Sequence, residues 1–320
     1  MTSKSPIRAI DAAAMNEAAK LIRDGALVAF PTETVYGLGG DATNADAVAR
    51  IFAAKGRPSF NPLISHVPDI RTAHDIAVFD DRAVDLANSY WPGPLTMVLP
   101  INPKRSVAEL TTAGLDSIAV RIPCSASARK FLNICGVPVA APSANRSGGV
   151  SPTRAEHVQM SLPGPDEGGP AMILDGGACD VGLESTVIDL TTEIPTLLRP
   201  GGLSIDDIET ILGEIDIAGD DNIAPKSPGM MSRHYAPNAA LRMNVKKPEK
   251  GEAFIGFGFV SVFGQPNLST DGDLLEAATN LFKILHALDA SGTKRIAVAP
   301  IPDEDIGMAI NDRLRRAVHT

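Results

Sequence analysis

The sequence predicts an α/β protein with some α+β character: a large mixed unit followed by a smaller α/β unit. Three observations carry this reading. Short apolar runs of strand length, such as "ALVAF", "SIAVRIP" and "STVIDL", are interspersed with segments of helical periodicity, and the helices do not alternate strictly with the strands. The chain has 320 residues, more than one small domain needs. Beyond Gly213 the texture changes, with a poorly periodic stretch and then a fresh set of strands and helices. The expected division is 1–212, a linker at 213–238, and 239–320 as a small α/β, Rossmann-like unit.

Residues 12–24 predict a helix that stops at Gly25, and "ALVAF" a buried strand after it. "PTETVYGLGGDA" (Pro31–Ala42) then reads as a loop, with hydroxyls and three glycines in four positions suited to close backbone approach. "NADAVARIFAAKG" sets Val48, Ile51 and Phe52 on one helical face, and Gly56 and Pro58 end it. Lys55 and Arg57 therefore flank the end of that helix. "NPLISHV" reads as a short strand, and residues 80–90 as a helix ended by "WPGP". "SIAVRIP" alternates, with Ile118, Val120 and Ile122 on one face and Ala119 and Arg121 on the other, so Arg121 is either solvated or faces a cleft. "VPVAAPSANRSGG" repeats the pattern of an apolar strand followed by a polar, glycine-rich loop, and "AMILDGG", "STVIDL" and "PTLLRPGG" add strands. Ser204 with Asp207 resembles a capping box that opens a short helix. In the last unit "LRMNV", "EAFIGFGF" and "RIAVAP" are strand candidates, with helices near 272–290 and 304–318.

Composition narrows the class. Hydrophobic residues make up 44% and aromatics 4%, so the core is mainly aliphatic, and Trp91 is the single tryptophan. The formal charge of −9 supplies no overall field for nonspecific nucleic-acid binding. Cys124, Cys135 and Cys179 are odd in number and widely spaced, which suggests reduced thiols. The N-terminal residues lack the apolar core of a signal peptide, and no apolar run approaches the roughly 20 residues of a spanning helix. These features lead to the expectation of a cytoplasmic chain with no membrane partner.

Several familiar chemistries lack their motifs. There is no GxxxxGK[ST], HExxH or GxSxG, and no Cys/His cluster with zinc spacing. "GFGFVS" begins like a dinucleotide fingerprint, but Ser261 stands in place of the third glycine, and a buried strand with small residues is the plainer reading. What remains is a set of polar loops at strand ends. Each has an ordinary alternative: a helix-dipole complement for Lys55, a turn for "PSANRSGG", Ser/Thr caps for Glu184, Ser185 and Thr186, a surface histidine for His66, and a solvated loop charge for Glu33. "SPGMMSRHYAP" (227–237) is harder to explain as a tolerant linker, because Met230, Met231, His234 and Tyr235 are poorly placed in open solvent.

Taken together, "PTETVYGLGGDA", "KGRP" with "NPLISH", "WPGPLT", "AVRIP", "APSANRSG" with "SPT", "LDGG", "ESTVID", "LRPGG" and "SPGMMSRHYAP" occur in one order over about residues 15–237. This set resembles the threonylcarbamoyl-AMP synthases of the long form, in which a YrdC-like catalytic domain with a twisted mixed sheet precedes a C-terminal domain. The unit at 239–320 carries no motif of its own that adds to the resemblance.

The resemblance implies a nucleotidyltransferase that joins L-threonine, bicarbonate or CO2, and ATP into threonylcarbamoyl-AMP and pyrophosphate. A tRNA threonylcarbamoyl transferase system then uses the product; direct tRNA binding is left open. It implies that Lys55 and Arg57 act on the phosphates. Arg57, Asn61, Ser117, Ser143, Asn145, Ser151, Arg199 and Tyr235 are implied to contact ATP. Thr34, His66, Arg121, Ala141 and Ser185 are implied to line the threonine pocket. Mg2+ is expected to travel with ATP, held by phosphates and water, with no metal cage in the protein. Such chemistry rests on positioning and cationic stabilisation, which agrees with the missing nucleophile motifs. The 213–238 segment is expected to act as a lid. An RNA-binding YrdC-like module without synthase activity is the alternative that the residues leave open, and a carbamoyl transferase of the hydrogenase-maturation type is disfavoured because its acylphosphatase and zinc-finger segments are missing.

Overall fold

The computed structural model describes residues 3–104, 107–219 and 234–318. The lid expectation falls largely on residues 220–233, Met230, Met231 and Arg233 among them, which lie outside the described residues.

Along the chain come β1 (Ile7–Ala9), α1 (Ala12–Arg23), β2 (Val28–Phe30), β3 (Gly37–Asp41), α2 (Ala45–Lys55) and β4 (Ile64–His66). Next are α3 (Ile70–Ile76), α4 (Asp81–Tyr90), β5 (Leu95–Pro100), β6 (Ser117–Arg121), α5 (Ala126–Cys135), β7 (Val139–Ala140) and α6 (Ala155–Ser161). The large unit closes with β8 (Met172–Asp175), β9 (Thr186–Asp189), β10 (Thr196–Arg199), α7 (Ile205–Leu212) and β11 (Asp216–Ile217). The smaller unit holds β12 (Ala240–Arg242), β13 (Ala253–Ile255), α8 (Leu274–Ala290), β14 (Arg295–Val298) and α9 (Ile306–Val318).

The first eleven strands form one mixed sheet in the order β1-β8-β2-β3-β7-β4-β6-β5-β9-β10-β11. The last three form a parallel sheet, β12-β14-β13, in which α8 crosses from β13 to β14. The α/β expectation with a second, smaller α/β unit therefore holds. β11 pairs in parallel with β10, so the large sheet runs past residue 212 into the stretch read as linker.

Local signals explain most helices. The Asn44 side chain accepts from the backbone N–H groups of Asp46 and Ala47, a cap that contributes about 1 kcal/mol. Val48, Ile51 and Phe52 then face the main core, and Gly56 ends α2 in the left-handed conformation at φ 60°. Ser204 caps α7 through the N–H of Asp206.

Four local readings change. Gly37–Asp41 is a central strand, antiparallel to β2 and β7. A Cβ at Gly39 would stand 2.9 Å from both Phe30 Cε1 and Val139 Cγ1, so that glycine makes room for neighbouring side chains. "SIAVR" is buried on both faces: Ile118, Val120 and Ile122 join the main core, while Ala119 packs with Ile64, Val98, Val187 and Leu198 on the opposite face. In "GFGFVS" the chain leaves the sheet after Ile255, and Phe259 is fully exposed. β1, β5, α3, α5 and α6 had no stated expectation.

The smaller unit docks directly on the larger one. Val35, Val150 and Leu183 belong to the same buried cluster as Phe254, Leu281, Phe282 and Ile296.

Candidate active site

The site lies on the sheet face opposite the main core. His66 closes β4 and Arg121 closes β6, and the parallel register sets them side by side. The period of two that sends Ile118 and Val120 to the core sends Arg121 to this face, so the cleft alternative for Arg121 is the correct one.

One wall is built around Arg121. Its Nε donates to the Gly93 carbonyl at 3.2 Å, its Nη1 to Thr34 Oγ1 at 2.8 Å, and its Nη2 to Glu33 Oε1. Glu33 is thus a buried ion-pair partner and no solvated loop charge. Burial works against its charge, but Arg121 overrides this and holds the carboxyl below the usual range. Thr34 shares a 2.8 Å hydrogen bond with Thr32. His66 is buried, unlike the surface histidine read from sequence, and its Nδ1 has no hydrogen-bond partner. Burial first, and then Arg121, push His66 down to about 3, so the ring is neutral. Ala141 follows β7, its N–H tied to the Ile64 carbonyl at 3.0 Å. Ser185 exchanges a 2.7 Å hydrogen bond with Thr96.

The other wall is cationic. Arg57 donates from Nε to the Asn61 carbonyl at 3.2 Å and from Nη2 to the Pro62 carbonyl at 3.0 Å. Burial, then Arg199, bring it down to about 9, still protonated at neutral pH. Arg199, at the end of β10, reaches the Ser185 carbonyl at 2.8 Å and its hydroxyl at 3.2 Å. Lys55 does not line the cleft. Its buried ammonium stands 2.5 Å from the carbonyls of both Ser143 and Asn145 and so staples the "PSANRSGG" loop to the end of α2. Burial, then Arg57, push Lys55 well below the ordinary lysine value. The buried side chain of Asn61 and Asn145 Oδ1 have no hydrogen-bond partner.

Glu184 sits between Ser151, whose hydroxyl donates to Oε1, and Arg313 of α9, whose Nε is 2.9 Å from Oε2. Above it, Tyr235 is buried at φ 62°, with His234 against its ring at 4.0 Å. The Ala236 N–H is held by the Gly148 carbonyl at 2.9 Å.

One cavity is therefore lined by Thr34, Arg57, His66, Arg121, Ala141, Ser143, Ser185, Arg199 and Tyr235. Lys55, Asn145 and Ser151 stand behind that lining, and Asn61 beside Arg57. Ser117 is at the far end of β6, opposite Pro100. His234, expected with Tyr235 to reach the nucleotide, lines the cavity, and so do Thr32, Val35 and Glu184, which had no role assigned from the sequence. For Glu33 and Glu184 the available signal was an acidic residue beside hydroxyls in a loop, and for Arg313 there was none. Among the described residues no group of three His, Cys, Asp or Glu could hold a metal ion, and no helix is long and apolar enough to cross a membrane. All three cysteines are free.

Residues 20–201 match a family model described as telomere recombination, of the Sua5, YciO and YrdC group, and residues 203–318 match one described as threonylcarbamoyl-AMP synthase, C-terminal domain. The chain is 42% identical over 326 residues to a threonylcarbamoyl-AMP synthase of Pyrococcus abyssi (strain GE5 / Orsay), covering 94% of this chain and 92% of that protein. It is 40% identical over 322 residues to the protein of that name from Bacillus subtilis (strain 168), with the same coverage of 94% and 92%. The crystal structure of P. abyssi Sua5 complexed with L-threonine superposes with a TM-score of 0.88 at 40% identity, covering 98% of this chain and 97% of that one.

Proposed function

The chain belongs to the threonylcarbamoyl-AMP synthase family, and from that premise we propose that it makes threonylcarbamoyl-AMP and pyrophosphate from L-threonine, bicarbonate or CO2, and ATP. One observation carries the reading beyond family membership. A wall built for a small amino acid, with Thr34, His66 and Arg121, and a wall with two arginines, Arg57 and Arg199, share a single cavity. Two substrates held there would meet with their reacting ends together.

In this reading Arg121 takes the threonine carboxylate in a fork already oriented by Glu33, while Thr34 and the neutral His66 address the hydroxyl. The threonine nitrogen bonds to the carbon of CO2 as one C=O π bond opens to an oxyanion and nitrogen gives up a proton to solvent, or to the carbon of bicarbonate with loss of water, to give a carbamate. A carbamate oxygen then bonds to the α-phosphorus, the bond from that phosphorus to the bridging oxygen breaks, and pyrophosphate leaves with the electron pair. Negative charge grows on the leaving phosphates, to which Arg57 and Arg199 would offer charge-assisted hydrogen bonds. Ser143, Asn145 and Asn61 offer hydrogen bonds to the nucleotide, and Lys55 keeps the Ser143–Asn145 loop in register. Ser185 joins the two walls, since it touches both Thr96 and Arg199. Tyr235 covers the cleft, and Ser151 acts through Glu184. Ser117, at the opposite end of its strand, fits the ATP role least well.

The chemistry makes this a nucleotidyltransferase. Mg2+ enters as part of the ATP substrate, consistent with a cavity whose carboxylate Glu184 is already paired with Arg313. The product is an anhydride that a separate transferase system would pass to tRNA, in the cytoplasm. Pyrophosphate release from ATP, measured with and without L-threonine and bicarbonate, tests the proposal. Release should require both co-substrates. Equal release when threonine is omitted, or none with all three present, would refute it.

A further inference from the structure

We infer that Arg313, on the last helix, is a positioning residue for the nucleotide-side wall, through which the C-terminal unit completes the site. Its side chain is 1% exposed and is the largest fully buried one among the described residues. Beyond the Glu184 contact, Nη1 donates to the Pro200 carbonyl at 2.8 Å and to Asp312 Oδ2 at 2.7 Å. The guanidinium carbon lies 4.9 Å from the centre of the Tyr235 ring. Apart from Asp312 on its own helix, each partner adjoins or belongs to the cavity lining: Glu184 lines it and precedes Ser185, Pro200 follows Arg199, and Tyr235 lines it.

The energetics point the same way. An arginine pair buried this deeply rarely adds stability over apolar packing, because desolvation offsets most of the attraction. A helix that needed only to dock would do so with apolar side chains, as α8 does in part through Ala278 and Phe282. Arg313 has a specific effect on Glu184. Burial pushes that carboxyl up, whereas Arg313, then Arg199, hold it below its ordinary value and ionised. An ionised Glu184 accepts the Ser151 hydroxyl and fixes the loop that carries it. α8 grips the same two loops. His286 Nε2 lies 3.0 Å from the Ser151 carbonyl, the Thr279 hydroxyl donates to the Asp180 carbonyl at 2.8 Å, and a Cβ on Gly182 would meet Thr279 Cα at 2.6 Å. Arg313 is a charged contact of this clamp, and it meets the cavity-lining Glu184 directly.

The kinetic part of the test rests on the synthase reading; the exchange part does not. Full-length Arg313→Met, Arg313→Lys and the double variant Arg313→Met/Glu184→Gln are compared with wild type and with Arg242→Met. The last breaks a surface ion pair to Glu252 on the same unit and serves as control. In pyrophosphate release, Arg313→Met should raise the ATP KM about tenfold with the threonine KM within about twofold, the size of one lost charge-assisted contact. Arg313→Lys should recover part of that. The double variant should regain thermal stability, because no unpaired carboxylate remains, but not ATP affinity. Hydrogen exchange at residues 149–153 and 183–187 should quicken in Arg313→Met and stay unchanged in Arg242→Met. A folded Arg313→Met with a wild-type ATP KM and wild-type exchange, or one in which both KM values move equally, overturns the inference. Wild type that releases no pyrophosphate would instead defeat the synthase reading, and the exchange comparison would then decide the role of Arg313 alone. If Arg313→Met does not fold, the lysine and double variants carry the same comparison, and unchanged ATP KM in both would overturn the inference.

Discussion

Glu33 and Arg121 form an ion pair with side chains only 3% and 4% exposed, and the same guanidinium holds Thr34 Oγ1 at 2.8 Å. The fork that would receive a substrate carboxylate is thus oriented before any substrate arrives. Preorganisation of this kind lowers the ordering cost of binding.

Arg121→Ala should therefore raise the threonine KM much more than the ATP KM. It should also destabilise the fold by about 3–5 kcal/mol, because Glu33 is left charged and buried. Glu33→Gln keeps a neutral hydrogen bond and should cost less, about 1 kcal/mol in threonine binding, or roughly fivefold in KM. Steady-state titration of each substrate and urea unfolding check both variants. A threonine KM unchanged in Arg121→Ala would refute the role given to that residue.

Arg57 and Lys55 should separate by what they lose. Arg57 lines the cavity and also holds the Asn61 and Pro62 carbonyls, so Arg57→Ala should reduce threonine-dependent pyrophosphate release by about 2–4 kcal/mol of transition-state stabilisation, thirty- to a thousandfold, a loss larger than its fall in melting temperature accounts for. Lys55 holds two loop carbonyls at 2.5 Å, so Lys55→Ala should lower the rate and the melting temperature together. Rates near wild type in both folded variants would contradict the phosphate assignment.

Acid should destabilise the protein in a defined window. His66 and His157 are both held near 3, chiefly by burial, with Arg121 acting on the first and the stacked His286 ring and Arg154 on the second. Below the ordinary histidine value of about 6.5, the unfolded chain takes up protons that the folded chain refuses. Stability should fall as pH drops from about 6.5 toward 3, with His66 adding up to about 1.4 kcal/mol per pH unit. Thermal melts from pH 8.5 to 5 read this directly. His157→Gln should make the acid side less steep, and an identical slope would argue that His157 is protonated in the fold.

Gly39→Ala probes the glycine strand apart from catalysis. The added methyl would stand 2.9 Å from Phe30 Cε1 and Val139 Cγ1, where overpacking costs about 1–3 kcal/mol. The melting temperature should fall while both KM values hold. A shift in the threonine KM without loss of stability would instead support a role for Gly39 in ligand approach.

What the sequence by itself determined was local. Asn44 and Gly56 mark the ends of α2, because a cap and a left-handed turn each depend on a few adjacent residues. The alternation in Ser117–Arg121 was enough to send Arg121 away from Ile118 and Val120, because a strand's side chains alternate whatever lies around it. Motif order led to the family, and most of the residues it marked do line one cavity. Only the tertiary structure decided which charges are paired. Glu33 finds Arg121 across 88 positions and Glu184 finds Arg313 across 129, and neither spacing has a period to read. It also decided that Gly39 serves packing, since the Phe30 and Val139 side chains that require a glycine there arrive from β2 and from the strand β7, about a hundred residues further along the chain. Burial and long-range pairing are properties of the assembled sheet; a short window of sequence specifies the direction of a side chain but not the partner it meets.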